Sequence, residues 1–68
     1  MKYTYNKLRG KIVEVFGTHY RFAEALGISE NSLSKKLKGK TQFKQSDITK
    51  WCLLLGIPID EAGNYFFS

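Results

Sequence analysis

A chain of 68 residues holds one small domain whose core leaves little room for a catalytic cavity, so binding on the outer surface is the first expectation. With 43% hydrophobic and 15% aromatic residues it is too apolar for a disordered tail, and charges interrupt every stretch that could span a membrane. Eleven Lys and Arg against six Asp and Glu leave a formal +5 and a pI near 9.5, which favours a polyanionic partner without choosing between nucleic acid and a membrane surface.

Leu8, Ile12, Val15 and Phe16 recur at i, i+4, i+7 and i+8, and this spacing predicts an amphipathic helix from about Asn6 to Phe16 with Lys7, Lys11 and Glu14 facing solvent. Gly17 suits its end, and Thr18 can cap a second helix from His19 to Leu26 that buries Phe22, Ala23 and Leu26. Gly27 breaks the pattern, and Ser29 is placed to cap a third helix from Glu30 to about Lys38, anchored by Leu33 and Leu37. Gly39, Lys40, Thr41 and Gln42 read as a loop. A fourth helix begins near Ser46, buries Ile48, Trp51, Cys52 and Leu55, and stops at Gly56. Pro58 can open a short fifth helix whose first turn carries Asp60 and Glu61, with Gly63 and Asn64 ending it and Tyr65, Phe66 and Phe67 left as an aromatic tail. No repeat, low-complexity tract or linker divides the chain, so residues 1–68 read as a single all-α domain of five helices.

The most informative stretch runs from His19 to Lys38. Two short helices meeting through a tight turn need a small residue where they cross, met by Ala23, and a residue tolerant of a left-handed backbone just past the first helix, met by Gly27. Phe22, Leu26, Ile28 and Leu33 supply the apolar contacts that close the corner. Five of the eleven basic residues, Lys35, Lys36, Lys38, Lys40 and Lys44, follow within ten positions that contain no acid. Such a run is often only a solvated face, yet its place on and beyond the third helix points to phosphate contact.

The string FAEALGISENSLSKKLKGK resembles the helix-turn-helix of the Cro and cI type of phage repressor. KLRGKIVEVFG before it, and FKQSDITKWCLLLGI with the closing NYFF after it, extend the resemblance over nearly the whole chain to the short Cro-like regulators of Gram-positive phages and prophages. It implies a five-helix lambda-repressor-like domain that binds a palindromic operator in double-stranded DNA and regulates transcription. Carried over, Glu30, Asn31 and Lys35 become base readers, because the start of the recognition helix enters the major groove, where Asn pairs with adenine, Lys with guanine and Glu with cytosine. Ser29, Ser32, Ser34, His19, Lys38, Lys40 and Lys44 become backbone or auxiliary contacts. Glu30 also has a plainer reading as an acid in a helix first turn, and His19 as an ordinary surface histidine where the family more often has glutamine. The chain departs from the pattern at Lys36, where such motifs carry an apolar residue; Leu37 takes the inward role, and the rotation of the third helix stays open.

A single recognition helix reaches few base pairs, so a homodimer is expected, with the aromatic tail Tyr65, Phe66 and Phe67 as its candidate interface or, equally, as a flap over the small core. One His, one Cys, no glycine-rich phosphate loop and no paired carboxylates on one helical face speak against an enzyme. The same inventory leaves no metal site, no cofactor and no small-molecule substrate to expect. Trp51 and Cys52 share the inward face and read as core. Met1 to Lys7 holds no apolar run like a signal peptide, so the expected location is the cytoplasm, away from membranes. The rival functions are a DNA-bending accessory factor of the excisionase kind and a protein-binding antirepressor or antitoxin that reuses the fold.

Overall fold

In the computed structural model, which describes residues 4–67, apolar positions at helical spacing become helices in the expected order. They are α1 (Asn6–Phe16), α2 (His19–Leu26), α3 (Glu30–Leu37), α4 (Gln45–Leu55), a 3-10 turn (Ile59–Glu61) and α5 (Ala62–Phe66). Among the described residues the fold is all-α with five helices. Met1 to Tyr3, part of the segment read above as lacking a leader, lie outside the described residues. Among the described residues no helix is long and apolar enough to cross a membrane.

The local signals at the helix ends act as their chemistry requires. Thr18 Oγ1 accepts the Arg21 backbone N–H at 3.2 Å, and Ser29 Oγ accepts that of Ser32 at 3.1 Å, so α2 and α3 each begin on a hydroxyl. α4 begins one residue before Ser46. Its first-turn carboxylate, Asp47, accepts the Lys44 backbone N–H at 3.0 Å and so satisfies one donor that the helix cannot. Gly27 ends α2 at φ +76°, a left-handed conformation that costs a residue with a Cβ about 1–2 kcal/mol. Its N–H returns to Glu24 O at 3.1 Å, and that of Ile28 to Ala23 O at 3.1 Å, so the chain reverses within three residues and enters α3.

The core is built around Trp51, with Phe22 4.9 Å away at 88° and Phe43 4.9 Å away at 89°, both edge-to-face. Phe43 also meets Phe66 at 5.1 Å and Tyr5 at 5.4 Å. Each such pair adds about 0.5–1.5 kcal/mol beyond the area it buries. Phe43 comes from the loop after α3, a residue to which periodicity assigns no role, and its ring pins that loop to the core. Leu8, Ile12, Leu33, Leu37 and Leu55 fill the space between the helices. Tyr5 caps α1 with φ +57°, a conformation unusual for an aromatic residue, and its burial against Phe43 offsets the strain.

The carboxy-terminal segment differs from the sequence expectation. Gly63 and Asn64 do not stop a helix; they lie inside α5, which runs on to Phe66. Both residues are poor helix formers, but Ala62 and Phe66, four apart, are buried together against the core, and packing overrides propensity. Phe66 is 1% exposed and therefore belongs to this chain's own core, not to a surface that a second chain could cover. Of the three candidate interface aromatics, Tyr65 is half-buried with the Lys7 ammonium 5.6 Å from its ring centre, and Phe67 is exposed.

Candidate nucleic-acid interface

Successive residues of a helix turn by roughly 100°, so residues at i, i+4 and i+7 share one stripe. In α3, Leu33 and Leu37 are buried, and the opposite side carries Asn31 and Lys35, continued by Lys38 at the helix cap, all exposed. Ser32 is exposed beside this stripe, and Ser34 is half-buried at its edge. Lys40 and Lys44 are exposed in the loop beyond. The structure thus brings Asn31, Lys35 and Lys38 onto one surface.

Three other sequence candidates fall elsewhere. Glu30 is exposed in the first turn, but it stands four residues before Ser34 and seven before Leu37, on the flank of the helix and away from the Asn31 stripe. In that place its carboxylate complements the positive end of the helix dipole. Ser29 is engaged as the α3 cap, and its hydroxyl also donates to Ser32 Oγ at 3.0 Å, which leaves the Ser32 proton as the freer donor of the pair. His19 is half-buried as the first residue of α2.

Lys36 is half-buried on the flank of α3 opposite Glu30. Its ammonium lies 3.1 Å from Asp47 Oδ2 and 5.6 Å from the Phe43 ring centre, so the charged head sits between a carboxylate and the face of an aromatic ring. A lysine can therefore fill a position where an apolar side chain is usual. Asp47 is held below the ordinary carboxylate range, chiefly by the Lys44 backbone N–H and also by the Lys36 ammonium, with burial opposing both.

Two more cations serve the frame. Arg9 Nη2 donates to the Leu37 carbonyl at 2.6 Å, so a side chain of α1 closes the carboxyl end of α3. Lys50 Nζ lies 3.4 Å from the Leu26 carbonyl, a longer contact at the end of α2. Positive charge at these two ends also suits the negative pole of each helix dipole. On the exposed face of α1, the Lys11 ammonium is 3.1 Å from Glu14, which raises the Lys11 pKa; an exposed pair of this kind adds little to stability.

Sequence reasoning passed over Tyr20 and Arg21, both exposed in the first turn of α2. Their only signal was their place just after the cap Thr18. The basic run splits by role: Lys35, Lys38, Lys40 and Lys44 extend into solvent, whereas Lys36 is committed to Asp47.

The chain is similar to a solved structure of the modulator of repression of the temperate bacteriophage TP901-1 from Lactococcus lactis, with 41% identity and a TM-score of 0.88. The match covers 100% of this chain and 92% of that one. The likeness is to a phage regulatory protein with an all-helical fold. No curated protein matches the chain. One family model fits its full length, residues 1–68, and the chain belongs to that family, described as Protein of unknown function (DUF739).

Proposed function

We propose that this protein is a small regulator of phage repression that acts through α2 and α3 as a helix-turn-helix, with α3 as the helix that reads DNA. The observation that carries the reading is the stripe of Asn31, Lys35 and Lys38, exposed opposite the buried Leu33 and Leu37 and continued by Lys40 and Lys44. Asn31 and Lys35 are the base readers: an amide can form two bonds with adenine, and an ammonium can donate to guanine N7 or O6. Lys38, Lys40, Lys44 and Arg21 meet phosphates. Four such contacts per domain would give log affinity against log salt a slope of about −3.6.

The domain measures 25 × 24 × 21 Å. Successive turns of one face of DNA are about 34 Å apart, so one copy cannot place recognition helices in two of them, and a symmetric operator requires two copies. Because Phe66 is internal, the pairing surface of such a dimer must lie outside it.

A second reading is supported by the similarity to a modulator of repression: the chain alters the action of a separate repressor protein by binding it. Footprinting on the DNA flanking the chain's own gene separates the two. Protection of a symmetric site by the chain alone, relaxed in base preference by Asn31→Ala or Lys35→Ala, supports direct reading. Protection that changes only when a repressor is also present, with none by the chain alone, overturns direct reading in favour of modulation.

A further inference from the structure

The apolar anchors of α3, Leu33 and Leu37, are four residues apart and lie on a single stripe. A seam of that kind fixes how deep a helix sits, but it leaves the helix free to roll about the seam, and the roll decides which way the outer side chains point. Arg9 holds the end of α3 at the Leu37 carbonyl, which fixes position along the axis and not rotation. The Lys36–Asp47 contact lies off the seam, between the flank of α3 and the first turn of α4.

We infer that Lys36 and Asp47 are a positioning pair that sets the rotation of α3, so that the base preference of the recognition helix depends in part on α4. The geometry is suited to that task. Asp47 Oδ2 accepts the Lys44 backbone N–H at 3.0 Å and the Lys36 ammonium at 3.1 Å. One carboxylate oxygen therefore starts α4 and locks α3. The contact is sheltered, with 16% of the Lys36 side chain and 27% of the Asp47 side chain exposed, and Phe43 beneath the lysine is itself braced by Trp51 and Phe66. Side chains reach about 5–6 Å from a helix axis, so a roll of about 20° moves their tips by about 2 Å. That exceeds the few tenths of an ångström over which a hydrogen bond to a base edge keeps its strength. Lys36 is thus a basic residue of the DNA-reading helix that touches no DNA.

The inference rests on the DNA-reading function for its effect on specificity and is independent of it for its effect on geometry. Lys36→Met keeps an unbranched side chain of similar length and removes the charge, whereas Asp47→Asn keeps an acceptor for the Lys44 N–H and removes the ion pair; the two variants fail to fold for different reasons, if at all. In either variant, amide residual dipolar couplings measured by NMR on the full chain should show α3 reoriented relative to α4, with α4 and α1 unchanged relative to each other. Affinity for the preferred site should fall about tenfold, within the range that one base contact carries, with random-sequence affinity unchanged. The salt slope should also stay unchanged, and Lys36→Arg should restore preference. Couplings identical to wild type in both variants would overturn the inference. So would a loss of affinity shared by random DNA with a salt slope smaller by about one, which would make Lys36 a phosphate contact. If the wild-type chain binds no DNA, the proposed function fails, and the couplings alone decide whether Lys36 and Asp47 set the rotation.

Discussion

The α2–α3 unit and the carboxy-terminal α5 are both short helices that follow a glycine-marked break, yet they are determined in different ways. In α2 and α3 the bounds follow from local chemistry, with Thr18 and Ser29 as caps, Gly27 as the reversal and apolar residues at helical spacing. In α5 the local signals point to a stop at Gly63 and Asn64, and the helix forms regardless because Ala62 and Phe66 are buried. One region is specified by its ends and the other by its packing. Substitutions should therefore damage the two regions by different routes.

The largest effect is expected at Phe66. Truncation to Ala removes an aromatic core side chain, at a cost of about 3–5 kcal/mol. A domain of this size has roughly 3–10 kcal/mol in total, so Phe66→Ala should lose about a third or more of that reserve and melt at a much lower temperature than wild type by circular dichroism. Phe67→Ala, at a position 57% exposed, should cost about 1 kcal/mol or less. Equal losses at the two positions would show that the tail is a continuous structural unit and that the contrast between its residues is false.

Gly27→Ala tests the motif through its backbone alone, since a Cβ there meets nothing within 4 Å. The left-handed conformation should cost about 1–2 kcal/mol, read as a lower urea midpoint with an unchanged slope. A smaller loss would mean that the α2–α3 turn can relax to another conformation. Ser29→Ala removes the α3 cap and should cost about 1 kcal/mol, with faster amide exchange at Ser32 and no change in α5.

The smallest stability effect is expected from acid. Asp47 sits below its ordinary pKa of 3.8, so its contribution is complete above that pH and is lost as pH falls through the lower folded value. Wild type should lose urea resistance over that window, and Asp47→Asn should lose less of it. Identical acid limbs would mean that the Lys44 and Lys36 contacts do not hold the carboxylate in solution.

The candidate interface was legible in part. Asn31, Lys35 and Lys38 emerge from a helical wheel, because the buried pair Leu33 and Leu37 fixes which side must face out. The same wheel sets Glu30 apart, although its position at the head of the helix groups it with the base readers in a linear reading. Lys36 looks like one more member of a basic run until Asp47, eleven residues later, is brought against it.

From the sequence alone come the all-helical class, the near-complete bounds of the first four helices, the hydroxyl caps of α2 and α3 and the buried faces of α2, α3 and α4, because periodicity and capping act over a few residues. In α1, Val15 shares the helical spacing of the inward stripe but is 44% exposed. The tertiary structure decides which cations are structural and which are free, that Phe66 turns inward while Phe67 stays exposed, and that Phe43 pins the loop after α3. Arg9 reaches a carbonyl 28 residues away. Such pairings depend on how helices pack, and neighbouring residues carry no local trace of a contact made between distant parts of the chain.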